Sequence, residues 1–94
     1  MSELAVVWSS QFKRDYKLAI KRHRDISLLD DIILRLARRE PLPEKNRDHA
    51  LSHNWLGCRE CHITPDWLLI YKIDGDLLML NLSRTGAHSD LFCE

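Results

Sequence analysis

The sequence has little of what marks several common classes of protein. Three glycines and three prolines in 94 residues exclude collagen-like and disordered compositions. No apolar run approaches the roughly 20 residues of a membrane span. The segment Met1–Ala5 lacks the basic region and the apolar stretch of a signal peptide. Three cysteines, an odd number, are typical of reduced thiols, so we expect a cytoplasmic protein with no membrane partner.

Net charge is also lacking, because 14 basic side chains balance 14 acidic ones. The balance hides an asymmetry. Residues 1–47 carry 11 basic and 7 acidic residues, whereas residues 48–94 carry 3 and 7. A charge split between the two halves indicates a polyanionic partner. The length and the 45% apolar content predict one small globular domain over residues 1–94.

Hydrophobic periodicity predicts one strand and two helices in the first half. The apolar run Leu4–Trp8 favours a strand. After Ser9, whose hydroxyl can cap a helix, apolar residues recur at helical spacing until about His23. A second amphipathic helix begins at Ser27 and ends before Pro41.

The period changes from 3.6 to 2 in the second half. The polar segment Glu44–Asn54 predicts a loop, and three strand-length segments follow it. Turn signals, including the hairpin dipeptide Asp74-Gly75, separate these segments, which are Trp55–Ile63, Trp67–Ile73 and Leu77–Leu82. The order β-α-α-β-β-β predicts an α+β fold, with two helices packed on one face of a mainly antiparallel sheet.

Four of the five histidines lie in this second half. In a meander of three strands, the turn at Thr64–Asp66 and the tail after Leu82 emerge at the same end of the sheet. We therefore expect convergence there of His62, Asp66, Trp67, Arg84 and His88, with His49 added by the preceding loop. Three imidazoles and a carboxylate around one cleft suit proton transfer near neutral pH.

Simpler interpretations of the same residues stand beside this one. A single histidine is usually a surface or hydrogen-bonded residue. Trp67 and Phe92 could belong to the core, which is the interpretation we favour for Trp55. The basic residues of the first helix could form an ordinary solvated face.

Metal and haem binding are rival uses of these residue types. Zinc ligands could come from His62, Asp66 and His88 with Cys58 or Cys61, but the spacing fits no recognised site. The segment Cys58–His62 also matches the C-x-x-C-H motif of c-type haem attachment. Strand residues three apart point to opposite faces, which argues against a shared metal site and a disulfide. We predict no metal and no cofactor.

Several motifs together carry a family resemblance. The sequence contains Asp48-His49, then Trp55-x-Gly57-x-Arg59-x-x-His62, then the run Pro65–Lys72, and finally Arg84-Thr85-Gly86-x-His88-x-x-Leu91-Phe92. With Lys17–His23 in the first helix, these motifs closely resemble the YafQ family, a branch of the RelE/ParE toxin superfamily of bacterial toxin–antitoxin systems. The similarity covers nearly the whole chain.

This resemblance implies a RelE-like fold and a ribosome-dependent mRNA endoribonuclease. Such toxins cut the message in the ribosomal A site, at A-rich lysine codons in this branch, by metal-independent attack of the ribose 2′-OH. By motif position, the catalytic residues are His49, His62, Asp66 and His88. Trp67 and Phe92 would stack on or wall the bases, and Arg84 would bind the scissile phosphate. His88 is then the favoured general acid, with Asp66 or His49 as the base.

The resemblance also implies partners and leaves alternatives. A small cognate antitoxin would bind the domain, and operator DNA would be contacted only through that complex. His53 lies outside the matched pattern, and the motif requires neither Cys58 nor Cys61. Ala50 stands where a proline would be unsurprising, which bears on the placement of His49. The alternative functions are a non-catalytic gyrase poison, as in the ParE branch, and an antitoxin-binding co-repressor.

Overall fold

A mixed sheet of five strands, in the order β1-β5-β4-β3-β2, forms the centre of the fold. The computed structural model describes residues 3–92. Strand β1 pairs in parallel with β5, and the other neighbouring strands are antiparallel. The strands are β1 Ala5–Trp8, β2 His49–Ala50, β3 Arg59–Thr64, β4 Trp67–Asp74 and β5 Met79–Gly86.

Two helices, α1 (Ser10–Lys21) and α2 (Ile26–Ala37), pack on one face of the sheet. Each begins at a side-chain cap: Ser9 Oγ accepts the N–H of Phe12, and Asp25 accepts the N–H of Ser27. Capping of this kind satisfies backbone donors that the first helical turn leaves unpaired. The main core contains the apolar faces of both helices and alternate residues of the strands, among them Phe12, Leu29, Cys61, Leu69, Tyr71 and Leu82.

A smaller apolar cluster covers the other face of the sheet. Its buried members are Leu68, Ile70 and Leu91, and the loop between β2 and β3 packs against them. A short third helix, α3 (His88–Phe92), contributes Leu91 to this cluster. The face opposite α1 and α2 is therefore partly apolar and partly open, and it carries the histidines described below.

The predicted α+β fold, with two helices on a mainly antiparallel sheet, is confirmed. Three boundaries were wrong. The first strand of the meander begins at Arg59 rather than Trp55, because residues His53–Trp55 form a 3-10 turn and Gly57 has a φ of 91°. Strand β5 continues to Gly86 rather than ending at Leu82.

The segment between α2 and β3 is also more ordered than a plain loop. It contains a 3-10 turn at Glu44–Asn46 and the two-residue strand β2, which pairs with β3. Such a short strand carries too little alternation for a sequence pattern to identify. Among residues 3–92, no helix combines the length and the apolar character required to cross a membrane.

Candidate active site

Two histidines flank a buried carboxylate on the open face of the sheet. His49 on β2 is the register partner of Glu60 on β3, and His62 follows Glu60 by two residues. Because strand side chains alternate between faces, Glu60 and His62 project to the same side. The Oε1 atom of Glu60 lies 3.1 Å from His49 Nε2 and 3.8 Å from His62 Nε2. Glu60 is 5% exposed, so two imidazoles face a carboxylate largely shielded from water.

The neighbouring Asp48 anchors His49 at this position. Its Oδ1 atom accepts a 2.6 Å hydrogen bond from the Tyr71 hydroxyl and a 3.2 Å bond from Arg59 Nε. Burial, and then the bond to Asp48, raise the pKa of the Tyr71 hydroxyl. The tyrosine therefore stays a neutral donor, which holds the start of β2 against β3 and β4.

His62 lies beside the tight turn that carries Asp66. The His62 Nδ1 atom is 3.4 Å from the carbonyl oxygen of Pro65. The Thr64 hydroxyl donates a 3.0 Å bond to Asp66 Oδ1, and the Asp66 side chain is exposed at the turn. The predicted meander thus brings Asp66 close to His62, with its carboxylate open to solvent.

His88 lies at the same end of the sheet. Gly86 is the register partner of Leu68, which in turn is the partner of His62. Two strand spacings place the backbones of Gly86 and His62 about 10 Å apart. His88 begins α3, is exposed, and packs its ring against Phe92 with a centroid distance of 4.7 Å.

Arg84 and Trp67 have a different setting from the histidines. Arg84 Nε and a terminal nitrogen donate to the two oxygens of Asp15 on α1, at 2.8 and 3.2 Å. Trp67 is 1% exposed, and the guanidinium of Arg24 lies 5.3 Å from its ring centroid. Both residues line a cavity of about 270 Å³ on the α1 side. Trp67 is thus a core residue here, with no exposed surface on which a base can stack.

Phe92 lines a wider groove next to the smaller cluster. The groove has a volume of about 540 Å³ and lies between α3 and the loop after β2; its lining comprises Leu51, Ser52, His53, Asn54, Trp55, Leu91 and Phe92. Trp55 is half-buried and packs on the smaller cluster, in keeping with the core interpretation. His53, expected to be a loop histidine, is exposed in the 3-10 turn.

The His49–Glu60–His62 cluster could also hold a metal ion. One ligand atom from each residue lies within 4.8 Å of the others, and two imidazoles with a carboxylate suit Zn²⁺ or Cu²⁺. The zinc set considered from the sequence does not form among the described residues. Cys61 packs in the main core, on the face opposite His62. Burial raises the pKa of its thiol to about 12, which disfavours the thiolate that metals bind.

The same separation of faces is unfavourable for haem attachment. Cys58 packs in the smaller cluster and Cys61 in the main core, and both are free thiols. The expected absence of a Cys58–Cys61 disulfide is confirmed. Sequence reasoning missed Glu60, although an acidic residue two positions before His62 in a predicted strand was a signal that both share a face.

Comparisons with known proteins agree with the motifs. A sequence model of the family described as "Bacterial toxin of type II toxin-antitoxin system, YafQ" matches residues 4–93. The mRNA interferase toxin YafQ of Escherichia coli strain B / BL21-DE3 is 42% identical over 93 residues, which cover 98% of this chain and 99% of that protein.

Solved structures give the same result. The crystal structure of YafQ from E. coli BL21(DE3) superposes with a TM-score of 0.89 at 40% identity, over 96% of this chain and 99% of that one. YafQ in the E. coli DinJ–YafQ toxin–antitoxin complex gives 0.87 at 40% identity, over 96% and 98% of the two chains. A metal-bound toxin from Helicobacter pylori gives 0.89 at 39% identity, over 95% and 99%.

Proposed function

Because the chain belongs to the YafQ family of bacterial toxins of type II toxin–antitoxin systems, we propose that it cleaves mRNA in the ribosomal A site. Its E. coli relatives carry the name mRNA interferase, which supports the prediction of an endoribonuclease. The observation that carries the proposal is the His49–Glu60–His62 cluster, with Asp66 and His88 at the same end of the sheet.

The proposed reaction is an internal transesterification of RNA. The ribose 2′-oxygen attacks the adjacent phosphorus, and the bond from phosphorus to the 5′-oxygen breaks. A base takes the proton of the 2′-OH, and an acid gives a proton to the departing 5′-oxygen. The products are a 2′,3′-cyclic phosphate and a 5′-hydroxyl, so the step needs neither water nor an oxidant.

We assign the general base to Asp66 and the general acid to His88. Asp66 is exposed, and only one hydrogen bond, from Thr64, is recorded for its carboxylate among the described residues. His49, the other candidate base, has both ring nitrogens within reach of acceptors, the Ala50 carbonyl and Glu60. A ring that donates from both nitrogens is a cation and has no lone pair for a proton. His88 is exposed and is steadied by Phe92.

His49 and His62 then supply positive charge to the phosphorane. Glu60 faces both imidazoles and favours their cationic form, so that charge is oriented before the transition state develops. In this scheme the cleavage is metal-independent. A bound metal ion would occupy the same imidazoles and compete with their role.

The remaining predicted residues contribute to binding. Phe92 forms one wall of the groove beside His88 and is our candidate for contact with a base. Arg84 has a side chain that is 25% exposed, so it stays a candidate phosphate ligand while paired with Asp15. We assign Trp67 to packing beneath this part of the sheet.

We also propose the partners that the family relationship supports. A cognate antitoxin would inhibit the toxin, as the DinJ–YafQ complexes suggest, and operator DNA would be bound only through that complex. Lys13, Lys17 and Lys21 are exposed on α1 and suit contact with ribosomal RNA. Ribosomes and messages place this action in the cytoplasm.

Induced expression followed by primer extension of messages tests the proposal. We expect new 5′ ends within codons after induction of the native chain, and their loss with the variant His88→Asn. His23→Asn is the matched control, because His23 is exposed just after α1, away from the sheet. Full cleavage by a variant carrying both His88→Asn and Asp66→Asn would contradict the assigned site. Inhibition of DNA supercoiling without message cleavage would support the gyrase alternative instead.

A further inference from the structure

A small basic cavity adjoins His62 on the side away from His49's strand partner. Its volume is about 130 Å³, and its lining residues are Lys45, Arg47, His62 and Pro65. None of the four is acidic. Pockets for drug-sized ligands measure roughly 300–1,000 Å³, so this cavity has room for a small anionic group rather than a whole nucleoside.

The turn that carries the two cations is fixed to the strand that carries His62. Asn46, between them in sequence, is 6% exposed, and its Nδ2 donates a 2.7 Å hydrogen bond to the backbone carbonyl of His62. The pairing of β2 with β3 ends at Glu60, so Asn46 satisfies an edge carbonyl that β2 leaves unpaired. Arg47 then adopts a left-handed backbone with φ 46°, and the chain turns toward β2.

The two cations have no counter-charge in the protein. Lys45 and Arg47 are exposed, and neither forms an ion pair within residues 3–92. By contrast, Arg22, Arg35, Arg38, Arg59 and Arg84 each pair with a carboxylate. Two uncompensated cations around a small cavity attract an anion, and a guanidinium matches the geometry of phosphate oxygens.

We propose that Lys45 and Arg47 form a subsite for an RNA backbone phosphate, the one next to the phosphate that is cleaved beside His62. This inference rests on the proposed nuclease function and adds a binding site to it. The buried Asn46 holds both cations at a fixed distance from the imidazole. Binding of one phosphate there would set the register of the message relative to Asp66 and His88.

Binding of a short RNA that cannot be cut tests the subsite directly. The probe is a fluorescent tetranucleotide with 2′-O-methyl groups, measured by anisotropy at several salt concentrations. The variant Lys45→Gln/Arg47→Gln should bind about tenfold more weakly and show a salt dependence that is shallower by about 0.7 per lost phosphate contact. The matched control is Lys13→Gln/Arg39→Gln, which removes the same charge from exposed positions that do not line the cavity.

The control variant should change the affinity less than twofold. Equal weakening by both variants, or no weakening by Lys45→Gln/Arg47→Gln, would overturn the subsite. Ribosomes without a message distinguish the other source of phosphate, ribosomal RNA. We expect the subsite variant to bind these ribosomes as the native chain does, and a loss there equal to the loss on the tetranucleotide would also overturn the proposal.

Failure of the subsite and failure of the proposed nuclease function give different results. His88→Asn should bind the uncleavable RNA like the native chain and cut no message. The subsite variant should cut with an increased KM and a kcat within about threefold of the native value, since it removes binding in the ground state and transition state alike. A protein that cuts nothing yet shows the predicted loss of RNA binding would refute the nuclease function alone.

Discussion

The carboxylate of Asp15 joins α1 to β5, and its removal should have a large effect on stability. Asp15 is 7% exposed and accepts four hydrogen bonds: 3.0 Å from Gln11, 2.8 and 3.2 Å from Arg84, and 3.2 Å from the backbone N–H of Thr85. The variant Asp15→Ala leaves the guanidinium and a buried N–H without this acceptor.

The expected cost follows from the burial of the partners. Breaking a buried ion pair costs roughly 3–5 kcal/mol. The side chain of Arg84 is 25% exposed and can regain some water, which favours the lower end, about 3 kcal/mol. Small domains are stable by only about 5–15 kcal/mol, so the loss should be readily measured. We expect the pair Asp15–Arg84 to show a coupling energy of about 2 kcal/mol.

Urea unfolding of a double-mutant cycle is the assay, with Asp15→Ala, Arg84→Ala and the variant carrying both. The pair Arg22–Asp90 is the matched control, because its side chains are 52% and 39% exposed. Its coupling should stay below about 1 kcal/mol, as for other surface pairs. A coupling at Asp15–Arg84 no larger than the control would refute the argument that burial gives this pair its strength.

Three further results are expected. Glu60→Gln should slow cleavage at least about tenfold yet leave stability unchanged or increased, because Oε2 of this buried carboxylate has no hydrogen-bond partner among the described residues; a parallel loss of both would indicate a structural role. Cys61 is neutral in the fold, and its pKa is raised by burial from 9.0 to about 12. As the pH rises from about 8 to 10 the unfolded thiol ionises first, so the native chain should lose about 1.4 kcal/mol more stability than Cys61→Ala in urea unfolding; equal losses would contradict this. A chelator of zinc and copper that leaves magnesium in place should not slow cleavage on ribosomes, and a loss restored by added metal would contradict the proton-transfer scheme.

Local sequence signals identified most of the fold. Ser9 caps α1 as expected, and the turn signals separate β3 from β4 and β4 from β5. The errors fall where tertiary contacts decide the structure. Strand β5 runs on to Gly86 because it pairs with β4 there, and the short helix α3 depends on Leu91 packing against the sheet. Neither interaction has a local pattern long enough to reveal it.

The site shows the same division. The meander argument correctly placed His62, Asp66 and the end of β5 at one end of the sheet. It could not separate Arg84 from the histidines, because the ion pair with Asp15 joins residues 69 positions apart. Glu60 was missed because its importance lies in burial between two imidazoles, which becomes evident only once β2 is paired with β3.

The most direct test of the account is the chemistry of the ends produced on programmed ribosomes by the purified protein. We predict upstream fragments that end in a 2′,3′-cyclic phosphate, downstream fragments with a 5′-hydroxyl, and almost no product with His88→Asn. Fragments ending in a 3′-hydroxyl, or normal cleavage by His88→Asn, would contradict the central claim that the histidine–carboxylate site cleaves RNA by attack of its own 2′-oxygen.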